Sequence, residues 1–133
     1  MRKVLVVDDD HVFLTNMERI LGSAGHAAIT AKDGVEALLA YRAARADLGL
    51  VILDLDLPRM DGLSVAKVIR KADPLARIVL LCAPSVLLEE SIAPDAFLPK
   101  PVRVGDLLET VQRLLAEEPD FAAPLLGALA GPS

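Results

Sequence analysis

Asp8 and Asp9 directly follow the apolar run Val4 to Val7, and Asp54 directly follows another, Leu50 to Leu53. If the two runs lie side by side as strands, three carboxylates meet in one small pocket. Like charges gathered so closely need a cation among them or a shifted acidity. The simplest remedy is a hard divalent ion with oxygen ligands, Mg2+ keeping several of its waters. A single acid at a strand end is ordinarily just solvated, an account that fits one residue better than three. Lys100, within Leu98-Pro99-Lys100-Pro101, ends a further extended segment and reaches the same edge. A lone lysine is usually a surface charge, but at a strand end it is a compact counter-ion for a phosphoryl group. Acids, hard cation and ammonium together suit transfer of a phosphoryl group to the Asp54 carboxylate, giving an acyl phosphate.

The elements that must position these groups read as a repeated strand-helix unit. Val4 to Val7, Leu50 to Leu53 and Ile78 to Leu81 are short apolar runs of the kind buried on both faces of a parallel sheet, and Ala27 to Thr30 and Ala96 to Leu98 fit shorter strands. Phe13, Met17, Ile20 and Leu21 recur at helical spacing, with Gly25 placed to stop the helix. Asp33 and Glu36 form a variant capping box before Val35, Leu38, Leu39 and Arg42. A third helix fits Leu63, Ala66, Val68 and Ile69, and the last fits Leu107, Leu108, Val111, Leu114 and Leu115. Five such units imply an α/β fold: one doubly wound, five-stranded parallel sheet with helices on both faces. Ligands of such sheets bind beyond the carboxyl ends of the strands, where the acids and the lysine fall.

With 133 residues the chain has room for one domain. Apolar residues make up 53% of it and aromatics only 3%, so its core is built from Val, Ile, Leu and Ala. One cysteine, Cys82, excludes an internal disulfide framework, and the opening apolar run is too short for a secretory signal, so the expected compartment is the cytoplasm. No apolar stretch approaches the roughly 20 residues that cross a bilayer. Against 14 Lys and Arg stand 19 Asp and Glu, a net charge of −5 that repels a phosphate backbone, so direct nucleic-acid binding is not expected.

Lys3-Val-Leu-Val-Val-Asp-Asp9, Val51-Ile-Leu-Asp-Leu-Asp-Leu-Pro-Arg-Met-Asp-Gly62 and Lys100-Pro101 resemble the receiver domains of two-component response regulators, the chemotaxis regulators among them. The resemblance covers about residues 2 to 117, within a domain bounded at 1–118. It implies the flavodoxin-like strand order 2-1-3-4-5 and a cis bond between Lys100 and Pro101. It also implies Asp54 as phosphoacceptor, Asp8 and Asp9 as Mg2+ ligands with Asp54 and the backbone carbonyl of Asp56, and Lys100 on the phosphoryl group. The partners it implies are a histidine kinase or phosphotransfer protein upstream, and a protein partner or an output domain downstream. A face from the fourth strand to the fifth helix would serve a homodimer.

Several residues depart from the family pattern. Cys82 stands where the family has a Thr or Ser hydroxyl, and a thiol is a larger and weaker donor. Ser85 is a substitute only if the loop folds back. Phe97 holds the second switch position as an aromatic without a hydroxyl, and its bland reading is a packed edge-strand ring. Pro84 and Pro94 bracket Val86 to Ile92, which makes the fourth helix short or irregular. Asp56 adds an acid near the path of attacking water and is a candidate modulator of dephosphorylation. Leu57-Pro58 and Asp61-Gly62 read as turn chemistry, with Gly62 supplying a positive φ. His11 and His26 are weak signals, an exposed helix start and a strand opening. A redox role for Cys82 is outweighed by a small buried residue at a strand end.

Two further classes stay open at this level. A haloacid-dehalogenase-like phosphatase shares the pattern Val51-Ile-Leu-Asp-Leu-Asp, with Asp56 as acid/base, but that family places its nucleophile strand early and its metal acids late. A pseudo-receiver would keep the fold as an interaction module without using phosphorylation. Residues 119–133 are a Pro-, Gly- and Ala-rich apolar tail or linker start, in which Phe121, Leu125 and Leu129 recur at four-residue spacing while Pro124 and Gly127 weaken a helix.

Overall fold

In a computed structural model of the chain, residues 2–83 and 92–116 are described. Five strands run parallel in one sheet: β1 (Lys3–Val7), β2 (Ala28–Ala31), β3 (Leu48–Asp54), β4 (Ile78–Cys82) and β5 (Ala96–Pro99). Their order is β2-β1-β3-β4-β5, as the family resemblance implies. β1 pairs β3 with Val7 beside Leu53, so Asp8 and Asp54 leave neighbouring strands at the same level. β5 is an edge, and Pro99 sits there opposite Cys82, where a missing amide donor is tolerated.

Helices α1 (His11–Ser23), α2 (Gly34–Ala44), α3 (Gly62–Ala72) and α4 (Val104–Ala116) cover the sheet, α4 being the helix counted as the fifth from sequence. Alternate strand residues feed two aliphatic cores, as the period of a strand requires. Leu5, Val7, Val51, Leu53, Ile78 and Leu80 pack on α2 and α3. Val4, Val6, Leu50, Ile52, Val79 and Leu81 pack on α1 and α4. Full burial of each such Leu, Ile or Val side chain is worth about 1.5–3 kcal/mol, which is how a core almost without aromatics holds together.

Local signals set the helix ends. Asp33 caps α2 by accepting from the Glu36 amide at 2.8 Å. α1 ends in a Schellman arrangement: the His26 amide donates to the Leu21 carbonyl at 2.8 Å, the Gly25 amide to that of Gly22 at 3.0 Å, and Gly25 takes φ of 90°.

Three expectations need correction. Val68 does not face the core; it is 44% exposed, and Val65 is buried in its place beside Ala66 and Ile69. Leu39 likewise points outward from α2. Gly62 does not take a positive φ; in that loop Arg59 does, at 68°. Gly62 is needed for space, because a Cβ there would run into the Asp54 carbonyl and come within 2.5 Å of the Leu55 Cα. The expected short fourth helix, Ser85 and the tail from Pro119 lie outside the described residues.

Candidate phosphoacceptor site

Asp54 is the last residue of β3, and its side chain is buried with 1% exposure. Two donors meet its Oδ1: the Asp56 amide at 3.0 Å and the Lys100 ammonium at 2.7 Å. Lys100 reaches it from just beyond β5, where the Lys100 amide donates to the Cys82 carbonyl at 3.1 Å and the bond to Pro101 is cis. A contact of that length lies in the range of charge-assisted hydrogen bonds. The packing of Gly62 fixes the other side, since its amide donates to the Leu55 carbonyl at 3.1 Å and its missing side chain lets α3 close over the Asp54 backbone.

Asp8 is also buried, whereas Asp9 is exposed, and one oxygen from each of Asp8, Asp9 and Asp54 lies within 4.8 Å of the others. Asp10, next in sequence after Asp8 and Asp9, organises this loop. Its carboxylate caps α1 by accepting from the Val12 and Phe13 amides, and its own amide donates to Asp8 Oδ1 at 2.9 Å. An aspartate one residue ahead of a helical pattern was the available signal.

The electrostatics expose an unmet charge. Burial raises the Asp8 carboxyl from 3.8 to about 6, helped by the Asp54 charge and opposed by the Asp10 amide and Lys100. Burial alone would lower Lys100, but its hydrogen bond to Asp54 and the charges of Asp54, Asp8 and Asp56 raise it overall, so it stays a cation. One ammonium therefore faces several carboxylates. A divalent cation fits this donor set: all the side-chain ligands are hard oxygens, and a positive charge among them would lower Asp8 back toward the ordinary range.

Lys100 forms part of the wall of two cavities. One, about 330 Å3, is lined also by Asp8, Asp9, Asp10, Phe13 and Pro101. The other, about 400 Å3, lies among Asp54, Asp56, Leu63 and Cys82. Asp56 is exposed at that second mouth. Cys82 is buried at the end of β4, and burial raises its thiol, with Asp54 adding to the effect against Lys100. It therefore stays protonated, which disfavours thiolate chemistry. Phe97 on β5 is half-buried and packs against the α2–α3 core. His11 is exposed at the start of α1, and His26 contributes only its backbone to the α1 cap.

Compared with known proteins, residues 4–112 match the response regulator receiver domain family. The chain belongs to that family. Among curated relatives, the response regulator MprA of Mycobacterium leprae (strain TN) is 37% identical over 128 residues, covering 91% of this chain and 54% of the relative. This receiver thus spans about half the length of the curated relatives it matches. Among solved structures, a receiver domain protein from Clostridium thermocellum has a TM-score of 0.79 at 25% identity, over 87% of this chain and 95% of that one. The response regulator TrrA from Thermotoga maritima, solved in complex with Mg(2+)-BeF, has a TM-score of 0.76 at 35% identity, over 86% of this chain and 99% of that one. Vibrio cholerae CheY4 has a TM-score of 0.76 at 30% identity, over 86% and 98%. Family membership and the strand order remove the dehalogenase-like reading, while no helix among the described residues is long and apolar enough to cross a membrane.

Proposed function

We propose that this receiver is a phosphorylation-dependent switch whose phosphoacceptor is Asp54. The observation that carries the reading is the 2.7 Å contact of Lys100 with a buried Asp54 beside the Asp8–Asp9 acids. Both described hydrogen bonds of the carboxylate fall on Oδ1, so Oδ2 is the oxygen we assign to attack. It forms a bond to the phosphorus of a phosphohistidine on a histidine kinase or phosphotransfer protein, the P–N bond breaks, and the imidazole leaves with the electron pair. Mg2+ held by Asp8, Asp9, Asp54 and the backbone carbonyl of Asp56 would supply charge neutralisation on the phosphoryl oxygens. Lys100 stabilises the same oxygens from the opposite side, exchanging its carboxylate contact for one to the phosphoryl group.

Cys82 and Phe97 take the two switch positions. The Cys82 thiol lines the cavity beside Asp54 and donates weakly, so the pull of the phosphoryl group on the β4 end is damped relative to a hydroxyl. Asp56 faces the water that hydrolyses the acyl phosphate and sets its lifetime. The signal passes to a protein partner or an output domain through the face from β4 to α4, which is also the proposed homodimer surface. Residues 1–118 form the receiver unit and 119–133 the tail or linker, and the working compartment is the cytoplasm.

Incubation with Mg2+ and a small-molecule phosphodonor, read by intact mass, tests the reading. A phosphoryl adduct on the wild type and none on Asp54→Asn is expected. A folded, unmodified wild type would make the chain an interaction module that does not use phosphorylation.

A further inference from the structure

Residues 55–61 join β3 to α3 and carry the Asp56 carbonyl. The loop is tied at its start, where the Leu55 amide donates to the Leu81 carbonyl at 3.1 Å and the Asp56 amide to Asp54 Oδ1, and at its end, where Gly62 closes on Leu55. Its middle folds back in a γ-turn: the Met60 amide donates to the Pro58 carbonyl at 2.8 Å across Arg59, whose φ is 68°. That backbone form is strained for a residue with a Cβ and persists only where surrounding contacts enforce it. Glycine adopts it freely, so an arginine in this place needs a compensating contact. The contact is with the start of α2. Arg59 Nη1 donates to Asp33 Oδ2 at 3.3 Å while Asp33 Oδ1 accepts from the Glu36 amide, so one carboxylate caps the helix and receives the guanidinium. The Glu36 amide, opposed by burial and helped by Arg59, holds the Asp33 carboxyl below its ordinary value, and both partners are charged at neutral pH. Beside them Gly34 lets α2 approach the loop backbone, because a Cβ there would run into the Met60 carbonyl and lie 2.6 Å from the Met60 Cβ.

The junction of β2 with α2 that holds this loop also holds Asp8. The Ala31 carbonyl, at the end of β2, accepts from the Asp8 amide at 3.1 Å, and Asp33 follows shortly after in the chain. One short connection therefore spans Asp8 on one side and the loop of Asp56 on the other. We propose that Asp33 and Arg59 are a positioning pair, which sets the spacing of the Asp56 carbonyl from Asp8 before a divalent cation arrives. The inference rests on the reading of Asp8, Asp9, Asp54 and the Asp56 carbonyl as the Mg2+ ligands. Both residues act through the loop rather than by contact with the ion. A loop fixed in advance has less freedom to lose when the ion binds, so affinity is higher with the pair in place. Arg59 is 63% exposed, and a pair open to solvent couples weakly, so the change in affinity on breaking it is about two- to fivefold.

The sign of the Arg59 effect separates this role from plain electrostatics. Removing a cation from the neighbourhood of a divalent ion should by itself tighten binding, whereas freeing the loop weakens it. The test is a Mg2+ titration of the intact chain followed by backbone amide shifts at Asp8 and Asp56, in wild type, Arg59→Gln, Arg59→Lys, Asp33→Asn and the Asp33→Asn, Arg59→Gln double variant. Asn retains the α2 cap, so Asp33→Asn removes the charge and not the helix start. Arg59→Gln and Asp33→Asn are each expected to weaken Mg2+ binding about two- to fivefold, the double variant no further than either single one, with Arg59→Lys recovering part of the loss. Without metal, the Asp56 amide should exchange its hydrogen severalfold faster in Arg59→Gln than in wild type. Unchanged or tighter Mg2+ binding by Arg59→Gln, or losses that add in the double variant, would overturn the positioning role while leaving the Mg2+ site standing. A wild type whose Asp8 and Asp56 amides do not respond to Mg2+ would overturn both.

Discussion

Replacing Asp8 with Asn should make the metal-free protein more stable at neutral and alkaline pH while abolishing its response to Mg2+. The Asp8 carboxyl is raised from 3.8 to about 6, chiefly by burial. At about 1.4 kcal/mol for each tenfold change in acidity, holding the group ionised in the folded state costs roughly 3 kcal/mol. Below about pH 4 the carboxyl is protonated in the folded and unfolded chains alike, and the penalty is absent. As pH rises toward 6, the unfolded chain sheds the proton while the folded one retains it, so wild-type stability falls; above about 6 the whole penalty is in place. Asn keeps an oxygen for the Asp10 amide, which donates to Asp8 at 2.9 Å, but carries no charge. The variant is therefore expected to exceed wild type by about 1–3 kcal/mol near pH 8 without divalent ions, a gain of several degrees in Tm, and to equal it near pH 4. Added Mg2+ reverses the order near pH 8, because only wild type retains both buried carboxylates that favour the ion. Thermal melts of the two proteins, with Mg2+ or a chelator at both pH values, decide the matter. An Asn variant less stable than wild type near pH 8 without metal, or equal stabilisation of both by Mg2+, would refute the reasoning.

Other expectations follow from the same geometry. Lys100→Met leaves a buried Asp54 without its cation and should cost about 1–3 kcal/mol in chemical denaturation without metal, the partial exposure of Lys100 keeping the loss below that of a fully buried pair. Gly62→Ala drives a Cβ toward the Asp54 and Leu55 backbone and should cost about 1–3 kcal/mol by the same measurement, with slower phosphorylation of Asp54. Asp56→Asn should change the acyl-phosphate lifetime, read by loss of the adduct with time, and an unchanged lifetime removes Asp56 from the hydrolysis. Cys82→Thr should enlarge the backbone chemical-shift changes along β4 and β5 on phosphorylation, and equal changes in both proteins would remove the damping assigned to the thiol.

The fold was legible because its strands are uninterrupted aliphatic runs and its helix ends carry local signals, Asp33 before α2 and Gly25 after α1. The acids were legible as a set because a parallel sheet delivers its strand ends to one rim, so three motifs apart in sequence needed only one topology to meet. What escaped was settled by contacts across the fold. The smallness of Gly62 serves the Asp54 backbone eight positions earlier, and no turn signal encodes that approach. Val65 and Val68 share helical periodicity, and which of them faces the sheet depends on how α3 is rotated on it. Asp10 is not among the candidates read from the sequence, and its role as the α1 cap whose amide also binds Asp8 emerges only with the loop in place.

Locating the phosphoryl group within the chain puts the central claim at most direct risk. After reaction with the phosphodonor, borohydride reduction converts an aspartyl phosphate to homoserine, which fragment masses assign to a position. Conversion at Asp54 alone, dependent on Mg2+ and lost in a protein carrying both Asp8→Asn and Asp9→Asn, is the predicted result. Conversion at another aspartate, or at Asp54 with equal yield when Mg2+ is chelated, would contradict it.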